Sequence, residues 1–209
     1  MNATVRFWLG CGVVIALLWA LVAWSLAQWN LNNYTRLVAD RLLLLAELRR
    51  GALQEYFSTA EAELRFWSTN ERIISAQGTL LDIWNGESGD AVAARVRADY
   101  FDNNPSPEGF RLDFDGVENG NAYDDLHLAM HPETRLFVTE RGYYDFFLIG
   151  PDGDVYYTVE KEADLAVNLE RGALRNTGLA EVYRRAKRER REGTIAISDM
   201  QSYAPSGAA

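Results

Sequence analysis

Residues 143–164, YYDFFLIGPDGDVYYTVEKEAD, read as a buried hairpin that carries charge where an ordinary core strand would not. In 143–149, Tyr144, Phe146 and Leu148 fall on one face and Tyr143, Asp145, Phe147 and Ile149 on the other, following the two-residue period of a strand. Both faces are apolar, as in a central strand covered on both sides, except at Asp145. A carboxylate there needs a partner or a ligand, because burying it unpaired is costly. Pro151-Asp152-Gly153 makes the turn: Pro presets the backbone angle and Gly tolerates a positive one. Residues 155–159 (VYYTV) return as the second strand, and charge resumes in Glu160, Lys161, Glu162 and Asp164.

Outward from the hairpin, the pattern is mostly helical. Apolar residues recur at Val38, Leu42, Leu45, Leu48, Leu53, Tyr56, Ala60, Leu64, Trp67 and Ile74, in steps mostly of three or four, which predicts a long helix over 30–77. Its length would be on the order of 60 Å at 1.5 Å per residue. Residues 91–100 form a short amphipathic helix after Ser88-Gly89-Asp90, and 103–109 (NNPSPEG) a loop. A short strand is expected at 112–114 and a helix at 123–130. A second helix is expected at 132–141, with Pro132 in its first turn and Gly142 past its end. After the hairpin come a helix at 179–191 and a strand at 194–197 (TIAI).

The N-terminus is of another kind. Residues 7–29 carry no charge and are rich in Leu, Val, Ala and Trp, close to the roughly 20 apolar residues that a membrane span needs. Trp8 near one end and Trp24 and Trp29 near the other resemble an interfacial belt. Ser25-Leu26-Ala27 offers a cleavage site, but the apolar run exceeds the roughly 7–15 residues of a signal peptide, so an uncleaved anchor is expected. Residues 1–6 are then a short tail. Basic residues (Arg6 before, Arg36 and Arg41 after) do not orient the span. Cys11 is the only cysteine and lies within it, so the remainder can form no disulfide.

Composition excludes some functions. The formal charge is −9, and beyond residue 29 the chain has 20 basic and 30 acidic side chains, so no phosphate-neutralising surface for nucleic acid is expected. The basic run 184–191 (RRAKRERR) reads as a solvated helix face. His127 and His131 stand four apart, as zinc ligands can. Without an intervening Glu, and with Pro132 following directly, they read as surface or capping histidines. Asp152-Gly153-Asp154 lacks the spaced ligands of an EF-hand and reads as a turn. No nucleophile elbow, P-loop or dinucleotide fingerprint is present, so neither catalysis nor a cofactor is expected. The ligand candidates are Tyr143, Asp145, Tyr157, Lys161 and Asp164. The carboxylate would hold a cationic group, and the tyrosines would supply walls and hydroxyls. The alternative is an internal ion pair of Asp145 or Asp164 with Lys161.

Several of these residues recur in one known order. Tyr123, His127, His131-Pro132, Gly142-Tyr143-Tyr144-Asp145, Phe147-Leu148-Ile149, Gly153-Asp154, Tyr157, Lys161-Glu162, Asp164, Asn168-Leu169, Gly178-Leu179 and Tyr203-Ala204-Pro205-Ser206 resemble a bacterial sensor module. It is the extracytoplasmic Cache-like region of some methyl-accepting chemotaxis proteins, membrane-bound nucleotide cyclases and sensor kinases. The resemblance covers most of residues 40–206 and is most specific in 142–169. It implies an α/β (α+β) fold, with a long helix packed on a PAS-like antiparallel sheet over 78–209. It also implies an inward N-terminus, a single pass of the inner membrane in this stretch, a small-molecule ligand and a homodimer. Glu160 and Val167 depart from the pattern, which has an apolar residue and Thr there. The sensor would be cut short at residue 209, before a second membrane helix and an output domain. The expected function is therefore the sensory part of a chemoreceptor, with a cyclase or kinase receptor, or a ligand-free anchored periplasmic domain, as alternatives.

Overall fold

Asparagine side chains cap the starts of two helices of this chain, at Asn70 and Asn121. The computed structural model describes residues 3–189 and 193–206 and divides into two units, Met1–Ala60 and Glu61–Ala209. The first unit is the N-terminal part of one helix, α1 (Ala3–Thr69). From Phe7 onward α1 is long and apolar enough to cross a membrane, and none of its most apolar stretch is buried in the protein. The expected tail is already helical from Ala3, and the helix expected over 30–77 continues the span without a break as far as Thr69. It stops there because the Asn70 side chain accepts the Arg72 N–H at 2.9 Å. That bond caps a new helix, α2 (Glu71–Gly86), by satisfying one of its free N-terminal donors.

The second unit begins with the last turns of α1, from Glu61. After α2 come α3 (Gly89–Arg97), a π turn (Ala98–Asp102) and α4 (Ala122–Arg141). The hairpin strands β1 (Phe147–Ile149) and β2 (Val155–Thr158) follow, and then α5 (Gly178–Glu189). The protein is thus mostly helical with one small antiparallel sheet. Its core collects Trp67 from α1, Leu80 and Trp84 from α2, Val92 from α3, Val138 from α4 and Tyr156 from β2. Trp84 and Tyr156 set their ring centroids 4.5 Å apart. Fully burying side chains such as Leu80 and Val92 contributes about 1.5–3 kcal/mol each. A smaller cluster of Val155, Leu169 and Ala180 ties α5 to the back of β2.

The hairpin pairs Phe147 with Thr158, Leu148 with Tyr157 and Ile149 with Val155, with an irregularity between Leu148 and Ile149. Gly150 is required at the turn, since a Cβ there would lie 2.2 Å from the Tyr156 ring. An isolated bridge joins Asp154 to Asn168. The strand expected over 143–149 is therefore short, beginning at Phe147. Before it, a side chain supplements one backbone bond, Val159 N–H to the Phe146 carbonyl at 3.3 Å: Asp145 Oδ1 accepts the N–H groups of Phe146, Val159 and Glu160.

Other expectations are corrected. The strand at 112–114 is a 3-10 turn, Arg111–Asp113, and 194–197 forms no strand. The short helix after Ser88 ends at Arg97, with 98–100 in the π turn. The helices at 123–130 and 132–141 are one, with Pro132 inside it. Pro132 cannot donate to the Leu128 carbonyl. Buried residues on both sides of it, His127 and His131 before and Thr134 and Val138 after, hold the helix through the missing bond. Asn121 caps the start of α4 at Asp124 N, 2.9 Å, and Gly142 ends it at φ 70°, in the left-handed region that favours glycine. The helix expected to reach residue 191 is α5, and its last two positions lie outside the described residues.

Candidate functional site

The anomalous carboxylate is half satisfied. Asp145 Oδ1 accepts three backbone N–H groups, from Phe146 (2.6 Å), Val159 (2.8 Å) and Glu160 (3.2 Å). Its Oδ2 is buried and has no hydrogen-bond partner among the described residues. Burial, and then the charge of Asp164, push the carboxyl up to about 8 against the pull of the three amides. Neither Asp145 nor Asp164 lies within ion-pair distance of Lys161, so the internal pair does not form.

Asp145 lines a cleft of about 370 Å³ bounded by the hairpin, the first turns of α5 and the segment around Gln201. Tyr143, Phe147, Leu179, Val182 and Tyr203 are among the residues of its apolar wall. Its volume lies in the range of small-molecule sites. Asp145 and Asp199 line it, and among the described residues no Lys, Arg or His does. Of the sequence-predicted residues, Tyr143 and Asp145 are in the lining. Asp164 stands one step behind it, its Oδ2 accepting the Tyr203 hydroxyl at 2.8 Å. Tyr157 and Lys161 are elsewhere. Leu179, Asp199 and Tyr203 are not among the predicted site residues, although Gly178-Leu179 and Tyr203 stand in the recurring pattern of residues.

Tyr143 also points toward α1. Its hydroxyl donates to Glu63 Oε2 at 2.6 Å, and Arg141 Nε meets Glu63 Oε1 at 2.9 Å. A wall residue of the cleft is thereby tied to the helix that carries the apolar span.

Tyr157 and Lys161 belong to a second, closed polar region with the two histidines, which are buried rather than surface or capping residues. His131 Nδ1 faces the Tyr157 hydroxyl at 2.6 Å, and that hydroxyl faces Thr134 Oγ1 at 2.6 Å. His131 Nε2 lies 2.7 Å from the Leu112 carbonyl and 2.8 Å from Lys161 Nζ. Lys161 Nζ also donates to the Val159 carbonyl at 3.2 Å. His127 stacks on His131 with ring centroids 4.5 Å apart, its Nδ1 2.6 Å from the Asp115 carbonyl. Burial, then the charge of Lys161, lower His131 to about 3 and hold His127 well below the usual range. Burial also lowers Lys161 to about 7, against the charge of Asp145. Among the described residues no group of three His, Cys, Asp or Glu stands where it could hold one metal ion. This region joins α4 to the end of β2, and its members are buried from solvent.

Compared with known proteins, the chain matches no family model, no curated protein and no solved structure.

Proposed function

We propose that this chain is the sensory part of a bacterial transmembrane receptor, with a Cache-type sensor held outside the inner membrane and a chemotaxis signalling domain as its output. The span of α1 would anchor it, and a small ligand in the cleft beside Asp145 would be its signal. Two copies would pair through exposed apolar side chains of the first unit, among them Leu42, Leu45, Leu48 and Leu53. One observation carries the reading. Tyr143 lines the cleft and bonds Glu63 on the helix that includes the apolar span. A ligand that prefers one position of Tyr143 then biases the position of α1, and only such differential affinity shifts a two-state equilibrium.

The test is thermal unfolding of the full chain in lipid nanodiscs against panels of amino acids, organic acids, amines and nucleobases. At least one member should raise the melting temperature in a concentration-dependent way. If none does, the receptor reading fails.

A further inference from the structure

The ligand's chemistry can be read from carboxylates that the protein leaves unmet, and the inference rests on the receptor reading above. Three acids gather around Tyr144 and Tyr203. The Tyr203 hydroxyl donates to Asp164 Oδ2 at 2.8 Å, the Tyr144 hydroxyl donates to Glu162 Oε1 at 2.7 Å, and Asp145 lines the cleft with both tyrosines. In each acid the second oxygen (Asp145 Oδ2, Glu162 Oε2, Asp164 Oδ1) is buried without a hydrogen-bond partner among the described residues. Asp164 is 0 % exposed. None of the three has an ion pair among the described residues. The neighbouring Lys161 commits its ammonium to His131 and the Val159 carbonyl. Buried carboxylates left this way are costly, and a cation from outside would relieve that cost.

Two classes of cation compete. A metal ion needs several oxygens converging at about 2.0–2.6 Å, and the described residues hold no such group of three ligands. An organic ammonium needs one or two carboxylates and an apolar seat for its body, and Phe147, Leu179 and Tyr203 provide that seat beside Asp145. We propose that the cleft binds a small organic cation, a primary ammonium on an aryl or alkyl body, with its charge against Asp145 and its body between Phe147, Leu179 and Tyr203.

Such a ligand competes with protons for Asp145, whose carboxyl burial, then Asp164, raise to about 8. The titratable groups near it come from every side. They are Tyr143 and Tyr144 before β1, Glu160, Lys161, Glu162 and Asp164 after β2, and Asp199 and Tyr203 across the cleft. Glu63 of α1 and Arg141 of α4 reach it only through Tyr143. Binding therefore displaces a proton below about pH 8, and affinity should rise about tenfold per pH unit there.

The experiment is calorimetric titration of the full chain in nanodiscs with 2-phenylethylamine, against 2-phenylethanol and 3-phenylpropionate as neutral and anionic analogues. The amine should bind at least about tenfold more tightly than either analogue, more tightly at pH 7 than at pH 6, and at least about tenfold more weakly to Asp145→Asn. Equal binding of the alcohol, or a pH-independent affinity that survives Asp145→Asn, overturns the assignment. Should that variant not fold, the pH series on the unaltered chain decides. If an acid or nucleobase binds, and Leu179→Trp blocks it, the cation assignment fails and the receptor reading stands. If no compound of any class binds, both fail.

Discussion

Asp145 and Lys161 flank the same hairpin, yet their charged groups meet opposite surroundings. The Lys161 ammonium is sealed in, with His131 Nε2 at 2.8 Å and the Val159 carbonyl at 3.2 Å, and the chain of contacts continues through Tyr157 to Thr134. Asp145 closes the same end of the hairpin with one oxygen, keeps the other buried without a hydrogen-bond partner among the described residues, and as a residue lines a cleft. A polar network whose groups are bonded, His127 Nε2 excepted, fixes how α4 sits on β2. A half-satisfied carboxylate beside an open volume is where an outside molecule has something to add. Charge in a buried hairpin thus has two meanings, and the partners of the second oxygen or nitrogen tell them apart.

The largest expected effect breaks the comparison at the closed region. His131→Leu nearly keeps the volume but removes one partner each from the Tyr157 hydroxyl, Lys161 Nζ and the Leu112 carbonyl, while Thr134 and the Val159 carbonyl still meet the first two. A hydrogen bond contributes about 0.5–1.5 kcal/mol, and more where one partner is charged, so losing three gives a loss of about 3 kcal/mol in denaturant unfolding. Asp145→Asn should cost about 1 kcal/mol or less at pH 7, because an amide oxygen still accepts the three N–H groups. If Asp145→Asn proves the more damaging change, Asp145 is the structural member of the pair and the closed region is not.

The hairpin was legible in the sequence for local reasons: a two-residue period, Pro151-Asp152-Gly153 at the turn, and Gly142 stopping the preceding helix. The apolar span was legible from composition alone. The closed region was not, because its members come from three places, His131 on α4, Tyr157 on β2 and Lys161 after it, and no short spacing announces them. A histidine that faces a backbone carbonyl and an ammonium looks in sequence like any other polar residue on a helix. Pro132 misled for the related reason that a local breaker signal was outweighed by burial on both of its sides. Asp145 drew notice because it interrupts an apolar face, while Tyr203, in irregular chain far along the sequence, gave no periodic signal of its own.

Opposite pH signatures sharpen the comparison next. Asp145 has a folded value raised to about 8 from an ordinary 3.8. Its contribution to stability is full below the lower value and is lost as pH rises through the higher. Lys161 is lowered to about 7 from 10.5, so its contribution is full above the higher value and is lost as pH falls through the lower. The stability difference between the unaltered chain and Asp145→Asn should therefore shrink or turn negative as pH rises from about 4 to 8. The difference against Lys161→Met should do so as pH falls from about 10 to 7. Unfolding midpoints measured across pH on the three proteins read both slopes, and slopes of the same sign would dissolve the distinction.

A small expected effect on stability bears most on the proposed signalling. Tyr143→Phe keeps the ring in the cleft wall and removes only the hydroxyl that donates to Glu63 at 2.6 Å. Glu63 keeps Arg141 at 2.9 Å, so the cost should be about 0.5–1.5 kcal/mol, the range for one hydrogen bond. Ligand affinity should change little, because the hydroxyl serves α1 and the ring serves the cleft. What should disappear is the message. In the unaltered chain, ligand should alter amide hydrogen exchange in the last turns of α1, from Glu61 to Thr69, and in Tyr143→Phe that response should be lost while binding persists. A variant that binds ligand and still alters exchange there would show that the cleft reaches α1 through its core contacts, such as Trp67 against Phe146 at 5.5 Å, and that the Tyr143–Glu63 bond is only a local brace.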